Sequence, residues 1–178
     1  MLDHAGEILI LTGAPGSGKS TISEGIAKLP GSPKVHLHSD DFWGFIKNGL
    51  IDPWLPEAHA QNEVVIDAFA RSTEAYVKNG YFVVLDGIIG SWSLPRIVKL
   101  GVPLHYIVLR VPLEDSIARC KGRGGDTLAE SGPITQLHHE FADMCELRRH
   151  VMDVSGLARA EAQAKVVQAL SSGEFRMK

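Results

Sequence analysis

The sequence predicts an α/β fold, one sheet of buried strands wrapped by helices. Three observations carry the prediction. Short apolar runs at 8–12, 81–86 and 104–109 are rich in β-branched residues, as strands covered on both faces are. Longer segments of helical periodicity separate them. The first run leads into Gly13-Ala14-Pro15-Gly16-Ser17-Gly18-Lys19-Ser20, and that stretch leads into a helical pattern.

That stretch matches G-x-x-x-x-G-K-[ST] in the strand-to-helix context the motif requires. Its glycines free the backbone to turn successive N–H groups onto phosphate oxygens, and the helix behind it points its positive end at the same anion. Gly13, Ala14, Gly16, Ser17, Gly18, Lys19, Ser20 and Thr21 are therefore the expected nucleotide-binding residues. Lys19 would reach the outer phosphates, and the Ser20 hydroxyl would serve Mg²⁺.

Composition narrows the rest. At 178 residues and 44% hydrophobic the chain suits one domain with one core. A net charge of −3 provides no global basic surface, which disfavours a protein that grips long nucleic acid and favours small substrates. Cys120 and Cys145 lack metal-ligand spacing and read as reduced thiols of a cytoplasmic protein. The sequence shows neither a signal-peptide pattern nor an apolar run long enough to cross a bilayer, so no membrane role is expected.

In chain order, a helix over 20–29 presents Ile22, Ile26 and Leu29 to a core and stops at Pro30-Gly31. Residues 35–38 read as a short second strand ending in Ser39-Asp40-Asp41. Ligands of open α/β sheets bind at strand ends. One of the two carboxylates there can accept the proton of an attacking hydroxyl or help hold Mg²⁺, while the other caps a helix starting at Phe42. Phe42, Trp43 and Trp54 fit either an acceptor pocket or ordinary core. A long helix is expected over 57–79, with Val65, Phe69, Ser72 and Tyr76 on its buried face.

The strand over 81–86 ends in Asp86, the place from which an acid orients Mg²⁺ or touches an acceptor. Ser93 reads as a helix cap, with Pro95 in the first turn. Arg96 behind it is either a phosphate or acceptor ligand or a plain surface residue. After a strand over 104–109, a helix opens at Pro112 and carries Arg119, Lys121 and Arg123 toward a glycine-flanked polar loop. That composition suits a lid, about 122–133, closing cations over polyphosphate. An amphipathic helix is expected over 134–150, with His138-His139 as a solvated pair. His36 and His38 share a strand face, but two histidines without a third ligand do not make a metal site. A short strand over 151–154, a helix over 159–170 and a frayed tail from 171 complete the chain.

Gly13 to Thr21, Ser39-Asp40-Asp41-Phe42, the strand ending in Asp86 and the Arg119 to Arg123 segment together resemble the small P-loop kinases. Within these the likeness is to the group of chloramphenicol phosphotransferase, zeta toxin, gluconate kinase and the kinase domain of polynucleotide kinase. The resemblance implies a three-layer P-loop nucleoside triphosphate hydrolase fold. Its five-stranded parallel sheet would have the order 2-3-1-4-5, with an acceptor segment over about 40–80. It implies ATP and Mg²⁺, with Ser20 and Asp86 at the metal and Asp40 as the general base. Asp41 would be a helix cap or a helper on the acceptor. Arg119 would stack on adenine, and Arg123 would stabilise charge on the phosphoryl group in transit. Asp41, Phe42, Trp43, Asp86 and Arg96 then face a hydroxylated small-molecule acceptor. The segment holding Phe42, Trp43, Trp54 and Glu57 departs from the substrate motifs of gluconate kinases and nucleoside monophosphate kinases, so the acceptor stays open. Two other activities stand beside this one, a 5′-hydroxyl polynucleotide kinase and a nucleotide-dependent switch or ATPase with no acceptor. The chain lacks the Asn-Lys-x-Asp element that reads guanine in switches.

Overall fold

In a computed structural model of the protein, residues 1–123, 131–142 and 145–177 are described. The strands are β1 (Ile8–Thr12), β2 (Lys34–His38), β3 (Phe82–Asp86), β4 (Leu104–Arg110) and β5 (Val151–Asp153). Every residue of β1 and β3 is buried, so both strands need cover on two faces and occupy the middle of the sheet. All pairings are parallel, in the order β2-β3-β1-β4-β5.

Among the described residues the helices are α1 (Lys19–Ala27), α2 (Ser39–Gly44), α3 (His59–Lys78), α4 (Leu94–Val98), α5 (Leu113–Arg123), α6 (Ser131–Ala142) and α7 (Arg159–Ser172). The two-residue period of the strands divides the core. Leu9, Leu11, Val84, Ile107 and Leu109 pack with Ile22 and Ile26 of α1 and Val166 and Leu170 of α7. Ile8, Ile10, Val83, Leu85 and Val108 pack on the other face with Phe69 and Val77 of α3 and Ile97 of α4. The result is a three-layer fold with all strand C-termini on one edge.

Four expectations are corrected. The helix after β2 starts at Ser39, not Phe42, and its N-cap is His38, with no side-chain cap; neither Asp41 nor Asp40 caps it, because both lie in its first turn. The buried face of α3 is Val65, Phe69, Thr73 and Val77, with Ile66 and Ala70, while Tyr76 is 40% exposed. An i+4 stripe drifts little on a helix, and the Thr73 hydroxyl donates to the Phe69 carbonyl at 3.0 Å, so a hydroxyl is buried without an orphaned donor. The helix expected over 134–150 is α6 followed by a 3₁₀ segment over Cys145–His150. There the buried His150 ring bonds the Tyr106 carbonyl through Nδ1 at 2.9 Å and draws the chain onto β4. Finally, the tail is docked. Phe175 is buried, and its carbonyl accepts from the Tyr106 N–H at 3.0 Å; the Met177 N–H donates to the Leu104 carbonyl at 2.8 Å. β5 pairs only with Val108–Arg110, and the tail covers the stretch of β4 left open.

Candidate nucleotide and acceptor site

Three turns leave the C-terminal edge of the sheet side by side: the loop between β1 and α1, the turn from β2 into α2, and the loop after β3. The first is held against α5. A side-chain carbon on Gly16 would lie 2.5 Å from the Ser116 carbonyl, and Gly16 has φ 79°, so only glycine fits there. Arg119 of α5 donates to the Gly16 carbonyl at 3.3 Å. Lys19 is buried, and its Nζ reaches back to the Ala14 carbonyl at 3.5 Å, so the ammonium sits over the loop. The Ser17 hydroxyl is buried there without a hydrogen-bond partner.

The third turn is sewn to the first. Thr12 Oγ1 donates to the Gly87 carbonyl and accepts from the Ile89 N–H, each at 3.0 Å. It also abuts the second, since a side chain on Gly87, at φ 144°, would meet the Ser39 hydroxyl at 1.7 Å and Asp40 Oδ1 at 3.3 Å. Ser39 is buried and its hydroxyl donates to Asp40 Oδ1 at 3.1 Å. The bare glycine thus lets the Asp86 end of β3 lie against the carboxylate of Asp40.

Asp86 is fully buried. Its Oδ1 accepts from His36 Nε2 at 2.7 Å and from His38 Nδ1 at 3.0 Å. Burial pushes its carboxyl up, but the hydrogen bonds of His36, His38 and Ser20 outweigh that and hold it well below the usual carboxylate range. It is therefore an anion. The hydrogen bond to Asp86 in turn raises the His38 imidazole against the effect of burial, with the Asp40 and Asp41 charges adding to it. His38 spans two acids, since its Nε2 lies 3.6 Å from Asp40 Oδ2. Ser20, Asp86, His38 and Asp40 thus form one continuous chain of contacts from the loop to the half-exposed Asp40 carboxylate.

Asp86 Oδ2 is buried and accepts no hydrogen bond. A buried anionic oxygen without a donor, on the carboxylate that the Ser20 side chain also helps hold as the anion, fits the hard oxygen ligands that Mg²⁺ takes.

The remaining expected residues fall as follows. Asp41 is exposed in the first turn of α2. Phe42 packs edge-on to Phe69 and Phe45, with ring centroids 5.3 and 5.6 Å apart, so it belongs largely to the core under α3. Trp43 donates from Nε1 to Asn62 Oδ1 at 2.8 Å, and Asn62 holds the Pro53 carbonyl at 2.7 Å, which ties the acceptor segment to α3. Arg96 pairs with Glu63 between α4 and α3. Arg123 is the last residue of α5. The lid expected over 122–133 falls mainly on 124–130, outside the described residues; its flanks belong to α5 and α6. Of the expected solvated pair, His139 is exposed, whereas His138 is half-buried and its Nε2 bonds the Val111 carbonyl at 3.0 Å. The signal missed in the sequence is His36 and His38 as holders of Asp86. Once β2 and β3 are neighbours, His38 pairs in register with Asp86, and the alternation along β2 places His36 on the same face.

The chain belongs to the AAA domain family, which matches residues 9–132. No curated protein is significantly similar in sequence. Among solved structures the fold is shared with thymidylate kinase from Candida albicans (15% identity, TM-score 0.69, 98% of this chain and 96% of that one). It is also shared with a gluconokinase from Sinorhizobium meliloti 1021 (16%, 0.61, 94% and 93%). A chain of the Pnkp1/Rnl/Hen1 RNA repair complex matches at 24% identity and TM-score 0.66 over 83% of this chain, which spans 47% of the other. The fold is that of the small P-loop kinases. No helix among the described residues is long and apolar enough to cross a membrane.

Proposed function

We propose that the protein is an ATP- and Mg²⁺-dependent phosphotransferase that moves the γ-phosphate to a hydroxyl of a small-molecule acceptor. One observation carries this reading: the unbroken chain of contacts from Ser20 through Asp86 and His38 to Asp40. A nucleotide-binding loop alone needs no carboxylate at its rim, whereas transfer to a hydroxyl needs a base within reach of the attacking oxygen.

Gly13 to Thr21 cradle the phosphates, Lys19 neutralises charge on the outer ones, and Arg119, already on the loop, closes over the base. Ser20 and Asp86 would hold Mg²⁺, which when bound would offset the charge of the phosphate oxygens. Asp40, open to solvent, orients the acceptor hydroxyl and takes its proton. His38 fixes the Asp40 carboxylate, and Asp41, Phe42 and Trp43 shape the acceptor side. Arg123 stabilises charge on the phosphoryl group in transit. Arg96 reaches the acceptor only by leaving Glu63.

A second reading, a 5′-hydroxyl polynucleotide kinase, is supported by Phe45 and Trp54, which are 67% and 63% exposed on the acceptor segment; exposed aromatics are platforms on which single-stranded bases stack. The similarity to the RNA repair complex agrees with it, and the net charge of −3 opposes it. Transfer of labelled γ-phosphate to a panel of sugars, sugar acids, nucleosides, hydroxylated antibiotics and 5′-hydroxyl oligonucleotides separates the two. Labelled small-molecule product is expected. Label on oligonucleotides alone, weakened steeply by salt, would replace the first reading with the second, and free phosphate alone would leave only an ATPase or switch.

A further inference from the structure

At the opposite edge of the sheet, where the strands begin, three metal-ligating side chains from three segments converge. Glu7 Oε2 lies 2.8 Å from His4 Nδ1 and 3.1 Å from His105 Nε2. One ligand atom from each residue falls within 4.8 Å of the others. The sheet fixes two of the three, because Glu7 adjoins the first residue of β1 and His105 is paired with Leu9 across the β1–β4 ladder. His4 is held by its N–H to the Ser32 hydroxyl at 3.1 Å and by its ring, 5.1 Å from that of Phe82.

We propose that His4, Glu7 and His105 form a binding site for a divalent transition-metal ion of the zinc class, with two imidazole nitrogens and one carboxylate oxygen as protein ligands and water completing the sphere. The separations suit such an ion. Zinc–ligand bonds of about 2.0–2.1 Å in a tetrahedron put neighbouring ligand atoms about 3.3 Å apart, so the two Glu7–histidine separations need to open by only a few tenths of an ångström, and the two imidazole nitrogens lie within 4.8 Å of each other. Two imidazoles and one carboxylate with an open position is also a known zinc donor set. Side-chain exposures of 14% for His4 and 23% for Glu7 leave a route for ion and water, while His105 at 3% forms the floor.

Both imidazoles converge on Oε2, and His105 Nδ1 is buried without a partner. Ligation through Nε2 leaves that same Nδ1 carrying the proton with no acceptor. Zinc sites of high affinity hold their second ring nitrogen, so this site is expected to bind less tightly than those. The ion would fasten the N-terminal lead-in to the start of β4, where the tail also docks through the His105–Arg176 bridge. This role is structural and does not depend on phosphotransfer.

The test is Co²⁺ titration of the chelator-treated full chain, read by visible absorption, with Zn²⁺ thermal shifts in parallel. One Co²⁺ per chain is expected, with the absorption of a low-coordinate nitrogen–oxygen site. Zn²⁺ at a hundred times its Kd should raise Tm by roughly 5–10 °C. Glu7→Gln, which keeps an oxygen in place, should abolish both, and the more peripheral His4→Gln should weaken both by at least tenfold. Each variant is first shown to bind ATP·Mg²⁺ as the parent does, which establishes its fold. The proposal is overturned if the parent shows no saturable Co²⁺ binding or if binding survives in both variants. It is equally overturned if binding is lost in His36→Asn while Glu7→Gln keeps it, which would place the ion beside Asp86.

Discussion

Asp86 holds a full charge with no exposed surface, and two imidazoles make that possible. Because partners of this kind fix the orientation of a metal-binding carboxylate, His36→Phe and His38→Phe should each weaken Mg²⁺ affinity about 10–100-fold. Titration of Mg²⁺ at fixed ATP in a transfer assay reads this, and an unchanged Mg²⁺ requirement would show that Asp86 is not at the ion. Gly16→Ala tests the loop by sterics instead. The added carbon would stand 2.5 Å from the Ser116 carbonyl in a left-handed backbone, so ATP binding should fall sharply by calorimetry, and intact affinity would mean that α5 does not set the loop. Much of the candidate site at this scale was legible, because Lys19, Ser20 and Asp40 lie in local motifs that follow strands and Asp86 ends one. The parts not legible depend on neighbours in space. Glu7 and His105 are brought together only by the β1–β4 pairing, and the bond between His38 and Asp86 needs β2 beside β3.

The elements were legible to within a residue or two wherever a glycine or proline punctuates them, as at the ends of α1 and α3. Faces and tails were harder. Reading Ser72 and Tyr76 as the inner side of α3 followed an apolar ring that in fact lies edge-on to Tyr81 at the surface, with centroids 5.6 Å apart. Phe69→Ala should therefore cost about 3–5 kcal/mol, and Tyr76→Ala roughly 1 kcal/mol or less. Urea denaturation measures both, and equal costs would restore the face expected from the sequence. The polar composition after residue 171 hid the docked tail, whose hold rests on one buried ring and two backbone bonds to β4. Phe175→Ala should destabilise the protein by about 3 kcal/mol, whereas a frayed tail would give no change.

Over the whole molecule, the sheet separates two charged clusters, the one around Asp86 at the strand ends and the one around Glu7 at the strand starts. A third group links the far strands. Asp153 on β5 is held at about 2, first by the side chain and backbone of Ser155 and then by Arg110 of β4. A carboxyl depressed in the folded state stabilises it above the unfolded value, and this is lost as pH falls through the folded value. Asp153→Asn should therefore lower stability at pH 7, by under about 1 kcal/mol because the pair is exposed. The difference from the parent should vanish between roughly pH 4 and pH 2 in acid-denaturation curves; a difference that persisted below pH 2 would rule out the carboxylate as its source.

The position of the loop was legible because its motif stands between a strand and a helix, and the order of the sheet was what the resemblance to the small P-loop kinases implied. The acceptor was not, since Phe42 and Trp43 are spent on packing and on Asn62, and pocket shape depends on how the segment over 45–55 lies on α3. The claim to test first is that Asp40 is the base of a phosphotransferase. The most direct measurement compares parent and Asp40→Asn for labelled γ-phosphate transfer and, on the same samples, for ATP·Mg²⁺ affinity. Transfer reduced about 10²–10⁴-fold with affinity unchanged is the predicted result. Transfer that survives the substitution, or slow phosphate release indifferent to it, would contradict the account.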